Sequence, residues 1–264
     1  NWSGNCARAE RERGPFLLAR AEPSAMPTID EKRVYDDAAP PTPVFVAAAQ
    51  GLVVARLSDD AVGEFSLARR GAARDVAVGA DGTLALATDD AVLVAPDADP
   101  ERLTGTGFGA ATGVSVVDAP DPVIVAADDS GRIARLPLPA GFGSEASADT
   151  APDAGWTDLG TVEAVRALDG RLVAAADGVH RVSDSGLDDA GLEDARDVAA
   201  RGAPLAVTGG GLYELGNGWM VARDGPHEAV ATDGERAHAV ADDGTVLGRA
   251  EGGGEWAEVD LPTD

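Results

Sequence analysis

The chain has 264 residues, with 46 acidic side chains against 21 basic ones and a formal net charge of −25. An ordinary apolar share of 44% argues for a folded chain. The acidic balance argues against nucleic acid as a ligand, because phosphate binding needs a basic stripe. Lys32 is the only lysine, and arginine supplies the remaining cations. An acidic surface almost without lysine, on an Ala/Val/Gly/Asp-rich chain, fits a molar-salt cytoplasm. There the Debye length shrinks to about 3 Å and self-repulsion is screened. Cys6 is the single cysteine, so no internal disulfide can form, which fits a reducing compartment. No apolar run reaches the ~18 residues of a membrane span.

In chain order, residues 1–25 are richer in arginine than the rest and precede Met26-Pro27-Thr28. They are expected to be a disordered or non-native extension, and the stretch 14–21 is too short and too charged for a signal peptide. From about residue 31 one pattern repeats. A short apolar alternation ends in a turn, two further strands follow, and a loose Gly/Asp-rich connection leads to a fourth strand that often carries an aromatic residue.

The first copy comprises Arg33-Val34-Tyr35, Val44 to Ala47, Leu52 to Val54 and Glu64 to Leu67. Its middle stretch, Val44 to Leu57, is broken by Gln50-Gly51 and Arg56 and reads as a hairpin. The second copy is the clearest: Asp75 to Val78, the turn Asp81-Gly82, Thr83 to Thr88, then Val92 to Val94. Asp-Gly between alternating apolar stretches is a strong hairpin signal, because a tight primed turn needs positive φ. Further copies run through Val114 to Val116, Val165 to Leu168 and Asp197 to Ala199, and the last from Ala229 to Val259. The third copy carries a surplus over Pro137 to Asp158, whose composition suits a mobile insertion.

About six copies at a spacing of ~40 residues match blade length. The expected fold is all-β: a six-bladed β-propeller over residues 26–264 with four antiparallel strands per blade. The blades are expected near 31–71, 72–110, 111–162, 163–193, 194–226 and 227–262. Small residues Ala77, Ser115, Ala199 and Ala229 suit the strand beside a central channel. Phe65, Trp156, Trp219 and Trp256 suit an outer strand packed on the next blade.

The last copy, Arg249-x-Glu251-x-Gly253-x-x-Trp256, distantly resembles the Asp-box turn of sialidase and photosystem-stability-factor-like propellers. The copy with Leu212, Glu214, Gly216 and Trp219 keeps only the Gly and the Trp. From Met26 onward the chain resembles the β-propeller proteins of haloarchaea. That resemblance implies the fold and no assigned reaction.

Candidate chemistry is sparse. His180, His227 and His238 are read as falling on different blades, without metal-ligand spacing. Tyr35 and Tyr213 stand outside any sialidase-like context, and no catalytic residue is assigned. The most informative motif is Ala73-Arg74-Asp75-Val76-Ala77, which recurs as Ala195-Arg196-Asp197-Val198-Ala199 three blades away. With Glu163 and Glu228 near equivalent positions, these residues form a candidate channel-mouth ring of carboxylates and arginines. One reading is a site for a cation or small polar ligand; the other is that each Arg-Asp pair braces its own blade crossover. The expected function is a non-catalytic scaffold for a protein partner or small ligand, with no cofactor. The alternative is a metal-assisted, lactonase-like hydrolase holding a divalent cation at the channel.

Overall fold

The computed structural model describes residues 41–58, 61–119, 121–139, 155–251 and 253–261. The extension at residues 1–25, the strand expected at Arg33-Val34-Tyr35, and most of the surplus after Pro137 lie outside the described residues.

Six antiparallel sheets follow one another along the chain, as a six-bladed propeller requires. Five are four-stranded in simple sequence order. Blade 2, for example, comprises Ala73–Val78, Leu84–Thr88, Val92–Ala95 and Thr104–Gly105. The sheet of blade 1 has three strands among the described residues: Thr42–Ala48, Gly51–Ser58 and Ala61–Arg70. The first two of these form the hairpin expected at Val44 to Leu57, with Ala48 opposite Gly51.

The turn chemistry repeats as faithfully as the strands. Asp81, Asp128, Asp233 and Asp243 each accept the backbone N–H two residues on, at 2.8–2.9 Å. Gly82, Gly234 and Gly244 follow at positive φ. The carboxylate closes the turn and the glycine supplies the left-handed residue, which is why Asp-Gly marks the hairpins at 81–82, 233–234 and 243–244. A second glycine role lies at the start of the third strand. A Cβ on Gly178 (φ +132) would stand 2.3 Å from the carbonyl oxygen of Leu192. One on Gly131 would stand 2.0 Å from that of Val162. The third strand can approach the end of the fourth so closely only without a side chain.

Burial follows the faces of the sheets. The second strands Leu84–Thr88, Leu172–Ala175 and Leu205–Thr208 are buried throughout, because a blade lies on either side. Each apolar cluster spans two successive blades. Leu52 packs with Ala73, Leu84 and Leu86 between blades 1 and 2. Leu205 and Val207 pack with Val230, Ala239 and Trp256 between blades 5 and 6. No blade has a core of its own, so the core is the set of blade interfaces.

The outer-strand aromatics serve three of these interfaces. Their direction corrects the expectation: Trp156 donates from Nε1 to the carbonyl of Thr106 at 3.0 Å, and Trp219 to that of Ala190 at 2.7 Å, each on the preceding blade and not on the next one. Trp256 is buried against blade 5. Phe65 departs from the expectation. It lies on the face of blade 1 turned away from blade 2 and is 73% exposed, with Val44, Val46 and Leu67 beside it. Phe45, Ala47 and Leu52 occupy the face that meets blade 2, so the partner expected for Phe65 is not that blade.

Among the described residues no helix is long and apolar enough to cross a membrane.

Candidate functional site: the central channel and its two mouths

The first strands of blades 2 to 6 run side by side around a cavity of about 740 Å³. Val76, Val116, Leu168, Val198 and Val230 contribute its apolar wall. One mouth opens where each outer strand crosses to the next first strand, and the other where first strands turn into second strands.

The crossover mouth holds the recurring Arg-Asp motif. Asp75 accepts the N–H of Val76 at 2.8 Å and that of Val114, on the next blade, at 2.9 Å. Asp197 repeats this with Val198 at 2.8 Å and Val230 at 2.9 Å. A bulge sits at each motif, between Ala73 and Asp75 and between Ala195 and Asp197. The bulge turns the carboxylate sideways, so that one oxygen serves its own strand and the other the neighbouring blade. Asp169, one pair of residues deeper in blade 4, accepts the N–H of Ala200 in blade 5 at 2.7 Å. Ser115 donates to the carbonyl of Gly170 at 2.9 Å. First strands that belong to separate sheets are thus joined by side-chain oxygens.

Burial raises the Asp75 carboxyl above the usual range, against the pull of its two backbone N–H donors. Burial pushes Asp197 up to about 6, with the charges of Asp169 and Asp75 adding to the effect.

The arginines of the motif point elsewhere. Arg74 pairs through Nε with Asp89 of its own blade at 2.5 Å, both side chains more than half exposed. Arg196 reaches the next blade, donating to Asp242 at 2.6 Å and to the carbonyl of His227 at 3.2 Å. Arg166 holds the same place in blade 4, pairing with Asp194 at 2.7 Å and lowering its pKa. Arg166 stands outside the repeated motif because Ala167 takes the place of the aspartate in the other copies. Glu163 and Glu228 are exposed on the same side. The structure therefore gathers Arg74, Asp75, Glu163, Arg196, Asp197 and Glu228 around one mouth, but none of them lines the cavity.

The wall at the other mouth includes three arginines that the sequence reading did not single out. Arg171 and Arg201 follow the first strands of blades 4 and 5, and Arg181 lies on the third strand of blade 4, opposite Leu172. Asp118 and Asp169 line the same cavity, and each accepts a backbone N–H from another blade, Ala80 and Ala200 respectively.

The histidines need one correction. His227 and His238 share the last sheet, on His227–Thr232 and Ala237–Ala241, while His180 lies in blade 4. His227 is buried with Nδ1 2.7 Å from the carbonyl of Gly225, and His180 meets Asp177 at 3.0 Å. Among the described residues no group of three or more His, Cys, Asp or Glu side chains is arranged to hold a metal ion. In the last blade Arg249 pairs with Glu214 and lies 5.3 Å over the Trp256 ring, while Glu251 pairs with Arg236.

A family model described as an HVO_0234-like β-propeller, named after a haloarchaeal protein, matches residues 28–264. No curated protein matches the chain in sequence. Among solved structures the chain is similar to the WD40 β-propeller domain of Doa1. The TM-score is 0.48 at 15% identity over 67% of this chain, and the chain spans 64% of that one. It is also similar to the computationally designed Ika8 protein, with a TM-score of 0.45 at 14% identity over 86% of this chain and 79% of that one.

Proposed function

The chain belongs to the HVO_0234-like β-propeller family, and from that premise we propose that it is a non-catalytic binding scaffold whose ligand enters the central channel. The observation that supports this is the use made of the buried carboxylates. Asp75, Asp169 and Asp197 each hold the next blade in place through a backbone N–H, and the apolar wall below them offers volume for a small ligand or a partner's side chain. A carboxylate whose lone pairs are engaged by two backbone donors is poorly placed to move protons or bind a metal. These aspartates thus act as braces that keep the channel open. In this reading the acidic surface serves hydration in a salt-rich cytoplasm.

The test is a thermal-shift panel at molar KCl, covering divalent cations, nucleotides, sugars, lactones and peptides, with product analysis in the same wells. Shifts without conversion support the scaffold. Turnover of a glycoside or lactone, or stabilisation by one divalent metal alone, would overturn it in favour of the hydrolase.

A further inference from the structure

The two mouths of the channel carry arginines in different electrostatic states. At the crossover mouth Arg74, Arg166 and Arg196 are each neutralised by an aspartate at 2.5–2.7 Å. At the turn mouth Arg171, Arg181 and Arg201 are exposed, and none forms an ion pair among the described residues. Arg171 makes only a long contact, 3.4 Å, to the carbonyl of Val182.

The three are neighbours by construction. Leu172 is directly opposite Arg181, and the N–H of Val182 bonds the carbonyl of Arg171 at 2.8 Å, so Arg171 lies one residue from the position facing Arg181, and both line the same cavity. A Cβ on Gly170 would lie 3.1 Å from the Cβ of Ala200, which brings the turn bearing Arg171 against the one bearing Arg201. In a chain of net charge −25, a cationic cluster around a cavity with no ion pair among the described residues requires an explanation. Carboxylates are abundant in this sequence and are supplied to every arginine of the opposite mouth. The two carboxylates on the same wall, Asp118 and Asp169, are turned to backbone N–H groups of other blades.

We propose that Arg171, Arg181 and Arg201 form a binding site for a small, multiply charged oxyanion, carried on a phosphate ester or a polycarboxylate. The guanidinium fork matches either group in a bidentate way, and three forks around one opening favour a ligand with at least two negative charges. The apolar wall deeper in the channel would take the uncharged part of the ligand. The acidic exterior would thin out anions over most of the surface and favour an arginine-lined opening such as this mouth. The inference rests on the reading of the channel as a ligand site and names the ligand's chemistry.

The experiment measures binding of pyrophosphate and of citrate by calorimetry, with ionic strength held constant by KCl. Salt is set at the lowest level at which the wild-type protein stays folded. Binding of one or both is expected, and the stronger of the two identifies the phosphate or the carboxylate class. Arg181→Gln and Arg201→Gln should each weaken binding tenfold or more, and Arg201→Lys less than Arg201→Gln. Arg223→Gln, an exposed arginine outside this cavity, should leave binding unchanged. Wild-type affinity in Arg181→Gln and Arg201→Gln, or no binding of either anion, would overturn the site. If neither anion binds while a neutral ligand from the panel does, the anion site fails and the channel reading stands. If nothing of any charge binds, both fail.

Discussion

The pH dependence of stability follows from the carboxylates at the crossover mouth. Asp197 has a folded-state pKa of about 6, raised by burial from an unfolded value near 3.8. A raised carboxyl pKa means that the folded state holds the proton more tightly than the unfolded state does. Ionisation therefore costs stability, fully above pH 6, and the cost is recovered as pH falls from about 6 toward 4. Two pKa units correspond to about 3 kcal/mol. Discounting for solvent around a partly exposed side chain leaves on the order of 2 kcal/mol. In a domain of this size that is roughly 4–8 °C in Tm. The carboxylates with lowered values, such as Asp158, Asp194 and Asp233, act in the opposite direction. Their stabilisation is lost only as pH falls below the ordinary carboxylate range, so it stays out of the window between pH 5 and 7.5.

The assay is thermal and urea denaturation at fixed molar KCl, at pH 5, 6 and 7.5, on the wild type and on Asp197→Asn. Contributions shared by the two proteins, histidines included, cancel in the comparison. Wild type should lose stability from pH 5 to 7.5, and the variant should lose about 1 kcal/mol less, because part of the cost is already present at pH 5. Parallel pH profiles would refute the reasoning, because they would mean that the Asp197 carboxyl is as well solvated in the fold as out of it.

Further outcomes follow from the same contacts. Gly178→Ala, which drives a Cβ against the Leu192 carbonyl, should cost on the order of 2–4 kcal/mol. Gly244→Ala, with an open surround, should cost about 1 kcal/mol from its positive φ alone; equal losses in urea denaturation would discredit the close-approach argument. Trp219→Phe keeps an aromatic ring but loses the bond to the Ala190 carbonyl, so a loss of about 1 kcal/mol is expected, and an unchanged midpoint would show that bond to be idle. Arg74→Ala should cost under ~1 kcal/mol, since its pair with Asp89 is solvated on both sides. Lowering KCl from about 3 M to about 0.1 M should lower Tm by several degrees, because a Debye length of ~10 Å no longer screens a net charge of −25. A Tm independent of salt would remove the halophilic reading of the composition.

How much the sequence disclosed depends on whether a feature recurs. The blades were legible because the Asp-Gly turn and the alternating strands return at a near-constant interval, and turn chemistry is local. The Arg-Asp motif was legible for the same reason, and so was its placement three blades apart. What its carboxylates touch was not legible, because the bulge that turns Asp75 toward Val114 depends on the neighbouring blade. Asp169 does a related task two residues off the motif position, so no local pattern points to it. The turn-mouth arginines share no motif at all: two follow first strands and one lies on a third strand. Only the phase of the blades brings them together, by placing the residue after each first strand at the end of the channel opposite the Arg-Asp motif. Phe65 shows the converse limit, since an aromatic at the right place in the repeat still needs a neighbouring surface to meet it.

The channel itself can be closed without disturbing the blade interfaces. Ala231 lines it from an exposed position on the first strand of blade 6, so Ala231→Trp should obstruct the cavity and leave Tm within about 2 °C of wild type. Every ligand that stabilises the wild-type protein in the thermal-shift panel should then lose its shift in the plugged variant. Full retention of those shifts by a folded Ala231→Trp protein would contradict the central claim that the channel is where this propeller binds.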